Sequence, residues 1–224
     1  MPHFLPARWK WSRDHDPGRV FFCAGLVVLR TIVLFDGQNL YHAVRAAWAP
    51  SPHVPNSVYA YPSYDVEKLA AKLVQRVPGR QLEQIRFYTG VPSPHRGSDE
   101  KFWHGFWNNK LRYLSARGVY IYRGRVNPGG QEKGVDVSLA IDLIQLTYDQ
   151  KYEAAIIVSQ DWDFGPAVRL AKEVAKSQKR ALYFESAFIV GGNATYDRGV
   201  PGTFWSKIDK ALYDSCIDPT DYRA

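Results

Sequence analysis

The sequence predicts an α/β protein, a three-layer, doubly wound and mainly parallel sheet of about five strands. Three observations predict it. Short apolar runs rich in β-branched residues recur at Thr31–Asp36, Gln84–Thr89, Val119–Tyr122, Glu153–Ser159 and Arg180–Glu185. Longer segments with apolar residues at helical spacing separate them, and strands alternating with helices build parallel sheets covered on both faces. Finally, Ile156-Ile157-Val158 runs into Ser159-Gln160-Asp161-Trp162-Asp163 and then Gly165-Pro166, which opens a helix. Two carboxylates thus sit at a strand's carboxyl end, the edge where open α/β sheets bind ligands.

In chain order, residues 1–30 read as an N-terminal extension ahead of a domain over 31–224. Their apolar run Val20–Leu29 is too short to span a bilayer. Asp14 and Asp16 fall where a signal peptide would carry a basic leader. The first strand ends in Asp36-Gly37, and a helix carries Asn39, Tyr41, His42 and Val44. A proline-rich loop follows over 49–63. Val66, Leu69, Ala70, Leu73, Val74 and Val77 then keep helical spacing until Pro78-Gly79 stops them. Ser98-Asp99-Glu100 starts a helix whose Trp103, Phe106, Trp107, Leu111 and Leu114 share one face, and Arg117-Gly118 ends it. After the third strand comes a basic, glycine-rich loop, Gly124–Gly134, and the apolar helix Val135–Tyr148. A helix runs from Gly165 to about Gln178, a glycine-rich loop spans Gly191–Gly202, and a terminal helix is expected over about 204–214.

Charge is uneven along the chain. Residues 31–134 carry fourteen basic and seven acidic groups, whereas 135–224 carry ten and thirteen, within a net charge of +7. A basic middle beside an acidic last third suits a polyanion-binding protein with a carboxylate site. Cys23 and Cys216 form neither a disulfide framework nor a metal-ligand spacing, so a reducing, cytoplasmic setting is expected.

In a doubly wound order the first and fourth strands are neighbours at the switch point, which sets Asp36 beside Asp161 and Asp163. Asp136 lies in the first turn of the helix leading into that fourth strand, so a right-handed crossover brings it to the same edge. Four carboxylates without softer donors suit Mg²⁺ or Mn²⁺. Such an ion orients and deprotonates water at a phosphodiester. Each acid also has a plainer reading: Asp136 and Asp163 as helix caps, Asp161 as turn chemistry. Asn39 and Ser159 are polar groups placed to orient ligating carboxylates, or local caps. Asp142, six residues beyond Asp136, either orients basic partners or is a satisfied internal acid.

Three stretches occur in order: F-D-G-Q-N-L (Phe35–Leu40), K-G-V-D-V-S-L-A-I-D (Lys133–Asp142) and I-V-S-Q-D-W-D-F (Ile157–Phe164). Together they resemble the NYN-domain family, a branch of the PIN-like, FEN-related nucleases, over roughly residues 31–190. The resemblance implies a PIN-like Rossmannoid fold and metal-dependent RNA cleavage by water. The family's aspartates correspond to Asp36, Asp136, Asp161 and Asp163, and its asparagine to Asn39. Gln160-Asp161-Trp162-Asp163 departs from the family's small residues around these aspartates, and Trp162 either fills the groove or offers a base-stacking face.

Between Arg96 and Lys133 lie eight basic residues against three acids, with aromatics interleaved. That combination suits single-stranded RNA, whose phosphates meet cations and whose bases stack on rings. Trp103 and Trp107, however, share the face of Leu111 and Leu114 and read as core. Arg123, Arg125 and Lys133 flank the loop into Asp136 and are the better candidates. His42, His95 and His104 lack ligand spacing. The sequence therefore points to a Mg²⁺/Mn²⁺-dependent endoribonuclease acting on RNA, with no membrane. The competing class is an RNA-binding module that does not cleave. A phosphatase is disfavoured because Asp36-Gly37-Gln38 lacks the second aspartate of a D-x-D nucleophile.

Overall fold

The computed structural model describes residues 28–49 and 57–222, apart from 96, 128, 130 and 195. Seven strands form one sheet: β1 (Leu29–Asp36), β2 (Arg80–Val91), β3 (Tyr120–Val126), β4 (Glu132–Lys133), β5 (Ala154–Val158), β6 (Tyr183–Ile189) and β7 (Phe204–Ile208). Their order is β4-β3-β2-β1-β5-β6-β7. Every neighbouring pair is parallel except the β3–β4 hairpin. The chain winds outward from β1 to β3, returns to β5 and winds outward again, so the switch point lies between β1 and β5.

Strand alternation divides the core in two. Val33, Phe35, Phe87, Ile156 and Val158 face α1 (Gly37–Trp48), α2 (Val66–Gln75) and α3 (Ser98–Ala116). Ile32, Leu34, Tyr88, Ala155 and Ile157 face α4 (Val135–Tyr148) and α5 (Gly165–Ser177). Phe106, Trp107, Leu111 and Leu114 of α3 are buried, so that aromatic face is core. The helix boundaries follow their local signals. The Asp65 side chain accepts from Lys68 N–H to cap α2, and Pro166 sits in the first turn of α5, where its missing N–H costs nothing. Gly134, at φ +82°, turns the chain from β4 into α4.

The fold class is as expected, and four details differ. The sheet has seven strands instead of about five. The two additions are edge pieces, of which β4 is only two residues long. The helix expected over about 204–214 is instead β7, followed by the short α6 (Lys210–Asp214). Gly202, at φ +81°, turns the chain so that Phe204–Ile208 pairs with Glu185–Ile189. The backbone groups that β6 would leave unpaired outweigh a weak helical periodicity, and Asp209 caps what remains of the helix. The last expected strand starts at Tyr183, because Lys179, at φ +57°, and the Arg180 N–H bond to Ala175 O close α5 first. At the other end β1 begins at Leu29, two residues before the expected boundary, and Arg30 forks onto Glu153 at 2.7 Å. The proposed extension over 1–30 otherwise lies outside the described residues. Among the described residues, no helix is long and apolar enough to cross a membrane.

The C-terminal segment is tied down by a buried lysine. Lys110 is fully buried on α3, and its Nζ donates to the carbonyls of Pro62 (2.7 Å) and Tyr64 (2.9 Å). Asp218 stands 3.7 Å away, and the Tyr64 and Tyr222 rings flank the ammonium at 5.1 and 5.2 Å. Replacing Lys110 with Met removes the donor to two buried carbonyls and the cation facing Asp218, which costs about 3–5 kcal/mol. Chemical denaturation is expected to show that loss with an unchanged slope; a loss below about 1 kcal/mol would mean the lysine is not the tie.

Candidate functional site

The site lies at the carboxyl ends of β1 and β5. Asp36 is the last residue of β1, on the sheet face of α4 and α5 by alternation with Ile32 and Leu34. Its carboxylate is almost fully buried, at 3% exposure, and uses both oxygens. Oδ1 accepts the Asn39 N–H at 3.1 Å, capping α1, and Oδ2 accepts the Ser159 hydroxyl at 3.0 Å. Ser159 directly follows β5, and its Oγ also accepts the Asp161 N–H at 3.1 Å. Asn39 Oδ1 accepts the Gln160 N–H at 3.1 Å. Two side chains thus stitch the β1–α1 turn to the β5–α5 turn.

Asp161 caps a single 3-10 turn, Trp162–Phe164, by accepting the Asp163 N–H at 2.9 Å. Asp163 is exposed and is not the helix cap; Phe164 holds that position before α5. Asp136 is likewise not a cap. It lies at the surface in the first turn of α4, which Gly134 precedes. The Gln160 side-chain oxygen is buried with no hydrogen-bond partner among the described residues. Sequence reasoning missed that atom, although the glutamine was visible as a departure inside the motif.

The four aspartates share one electrostatic field. Burial pushes the Asp36 carboxyl up to about 7, and the charges of Asp136 and Asp161 push the same way against the bonds from Asn39 and Ser159. Asp136 is raised as well, first by crowding against the protein and then by Asp161 and Asp163. The charges that raise these two carboxyls belong to other acids. Among the described residues, no three of His, Cys, Asp and Glu lie close enough together to hold an ion as they stand. The acids are therefore gathered by field and not closed into a coordination shell.

A family model described as the NYN domain matches residues 30–184. The chain belongs to the NYN-domain family. The NYN domain places it in the PIN-like nuclease superfamily, whose α/β architecture this sheet shares. No curated protein matches the chain. Among solved structures, a protein of unknown function from Vibrio parahaemolyticus RIMD 2210633 is similar at a TM-score of 0.48 and 15% identity, over 84% of this chain and 98% of that one.

The other candidates of this NYN domain are placed less uniformly. Asp142 is a satisfied acid: Arg86 lies 2.5 Å from it and the Tyr88 hydroxyl 2.7 Å, away from the other aspartates. Arg123 donates to Asn108 of α3 at 2.9 Å, on the sheet face opposite α4. Arg125 and Lys133 are exposed partners across the β3–β4 hairpin, and Lys133 is three residues from Asp136. Trp162 is 48% exposed, with the Arg198 guanidinium 3.9 Å above its ring. Arg198 went unnoticed in the sequence, because it sits in a loop whose only signal was glycine. His104 bonds Pro92 O at 2.8 Å, and none of the three candidate histidines joins the acids.

The Asp36 carboxyl predicts a pH effect on the metal-free protein. Its folded value is about 7 against an ordinary 3.8, so between these pH values the folded state keeps a proton that the unfolded chain has released. Stability is then complete below the lower value and falls as pH rises through about 7. At about 1.4 kcal/mol per pKa unit, the full loss is on the order of 4 kcal/mol. Asp36→Asn keeps a capping side chain. In EDTA its melting temperature is expected to match wild type near pH 4 and exceed it near pH 8. Parallel melting curves across that range would remove the buried-charge account.

Proposed function

We propose that this protein is a divalent-metal-dependent endoribonuclease, acting in the cytoplasm, that hydrolyses phosphodiester bonds in single-stranded RNA. The observation that carries it is the set of carboxylates at the switch-point edge, where buried Asp36 is raised by Asp136 and Asp161, and Asp136 by Asp161 and Asp163. The donor set fits Mg²⁺ or Mn²⁺: four carboxylates and one unsatisfied buried amide oxygen, all hard, with no thiolate or imidazole among them. Such ions keep several waters, so a site that does not close three carboxylates on one point still suits them.

Asp36, Asp136, Asp161 and Asp163 would hold the metal. When bound, it activates water and neutralises charge on the phosphodiester. Ser159 and the Asn39 N–H fix both oxygens of Asp36, and the Asn39 side chain holds the backbone ahead of Asp161. With its carboxyl pushed up to about 7, Asp36 is protonated in part of the metal-free molecules at neutral pH, and a bound cation would displace that proton. Lys133, beside Arg125 on the hairpin leading into Asp136, is placed to meet the backbone of a bound strand. Trp162 offers an exposed ring beside the acids. Arg123, held by Asn108 on the face it shares with Arg125, contributes with it to the outer path of the RNA. Asp142 supports the sheet through Arg86 and Tyr88.

A labelled single-stranded RNA incubated with Mn²⁺ is expected to be cut, with no products in EDTA. Asp161→Asn is expected to lower the rate at least about a hundredfold, as loss of a charge-stabilising group does. The matching DNA reports whether the sugar is read. Metal binding is expected to release a proton and to tighten as pH rises through about 7, following Asp36. Full metal-dependent cleavage by Asp161→Asn would overturn the assignment of the acids. Tight RNA binding without products at any metal concentration would make the protein a non-catalytic RNA-binding module instead.

A further inference from the structure

The loop between β6 and β7 brings a cation to the acidic site that none of the motifs contains. Arg198 lays its guanidinium 3.9 Å over the exposed Trp162 ring and 5.2 Å from the ring centre of Tyr196, itself 50% exposed. Trp162 is the residue between Asp161 and Asp163, so the guanidinium stacks on the turn that carries both acids. It pairs with neither, and the guanidinium N–H groups have no hydrogen-bond partner among the described residues. Even the adjoining acid is taken, because Asp197 lies 3.2 Å from Lys207 Nζ. Stacking fixes the plane of a guanidinium while leaving the donors on its rim free for a phosphate.

The arginine is also held in register with the acids. Gly199 and Val200, which follow it, are buried. Val200 N–H donates to Ser186 Oγ at 3.0 Å, and Ser186 Oγ donates to Ser159 O at 2.8 Å. Ser159 is the residue whose hydroxyl bonds Asp36. A Cβ on Gly199 would fall 2.5 Å from Ser186 Oγ, so this approach requires glycine. One chain of hydrogen bonds therefore sets the position of Arg198 and of Asp36 together. A stack that served only to pin the loop would not need this, since the loop is already pinned by its backbone.

We propose that Trp162, Arg198 and Tyr196 form a subsite for one unpaired nucleotide beside the acidic centre, the guanidinium taking its phosphate and the rings its base. It rests on the ribonuclease reading and specifies it. The strand approaches over the β5–β6–β7 side of the sheet edge, and a base locked in a duplex cannot reach the rings. Single strands are selected by stacking, without preference for one base.

The test is anisotropy of a fluorescein-labelled single-stranded RNA of about 12 nucleotides, within the usual range of single-strand site sizes. It is run with the full chain in EDTA, so that no cleavage intervenes, beside the same sequence as a duplex. Arg198→Ala is expected to weaken single-strand binding about tenfold, the effect of one lost stacked nucleotide. It should also lower the salt slope by about 0.7, one phosphate contact's worth on a single strand. Arg198→Lys keeps the slope but not the affinity, because an ammonium does not stack. Trp162→Leu also weakens binding, and duplex binding moves less than about twofold in every variant. Arg198 is exposed, so its variants are expected to melt with wild type. Wild-type affinity in Arg198→Ala would overturn the subsite and leave the nuclease reading standing. Absence of single-strand binding by the wild type would overturn the RNA substrate itself.

Discussion

The site depends on the parallel pairing of β1 with β5. Phe35 pairs with Val158, so Asp36 and Ser159 leave adjoining strands side by side and the serine hydroxyl meets the carboxylate. From there the two connections diverge, one toward β2 and the other toward β6, which opens the crevice between them. Register decides everything at this edge. A slip of one residue would bring the Asp36 carboxylate into the place of Phe35, among Tyr64 and Phe87, and aim the phenyl ring at the crevice.

That pairing buries an acid beside other acids, an arrangement the fold alone does not reward. The two hydrogen bonds on Asp36 recover part of the cost, yet burial and the neighbouring charges still win, since its carboxyl is raised to about 7. Contrast Glu153, on the same sheet but at the opposite edge. Its pKa is lowered, above all by its bonds from Arg30. An acid that stabilises a fold has a base against it, as Glu153 and Asp142 do. Asp36 and Asp136 are instead raised by further acids, and Gln160 adds an unsatisfied oxygen in the same turn. Destabilising groups collected at one edge are what a cation-dependent site looks like before the cation is counted.

The parts of this arrangement that were legible in the sequence are those with local causes. Gly134 and Pro166 mark the starts of α4 and α5, and strand-ending acids could be laid on one edge from strand order alone. The edge strand β7 was not legible. Phe204–Ile208 is extended because β6 leaves its backbone unpaired, a condition set by residues about twenty positions earlier. Ser159 was recognisable as a polar neighbour, but not that its one hydroxyl would donate to Asp36 and accept from Asp161. Arg123 and Arg125 looked alike on a basic stretch. Two residues apart on β3, they share the α3 face, where Arg123 is tied to Asn108 and Arg125 sits across the hairpin from Lys133.

Arg198 is the clearest case of a residue whose meaning is carried by distant contacts. In the sequence it is one cation in a glycine-rich loop, 35 positions after Asp163. Its position comes from Gly199, which lets the loop close on Ser186, and from Ser186, which reaches back to Ser159. The acids and this arginine are therefore not two surfaces that happen to adjoin. Moving the loop would pull on the same serine that orients Asp36. A substrate gripped on the Trp162 side would then be gripped at a fixed offset from the acids, the condition positioning places on hydrolysis of a flexible strand.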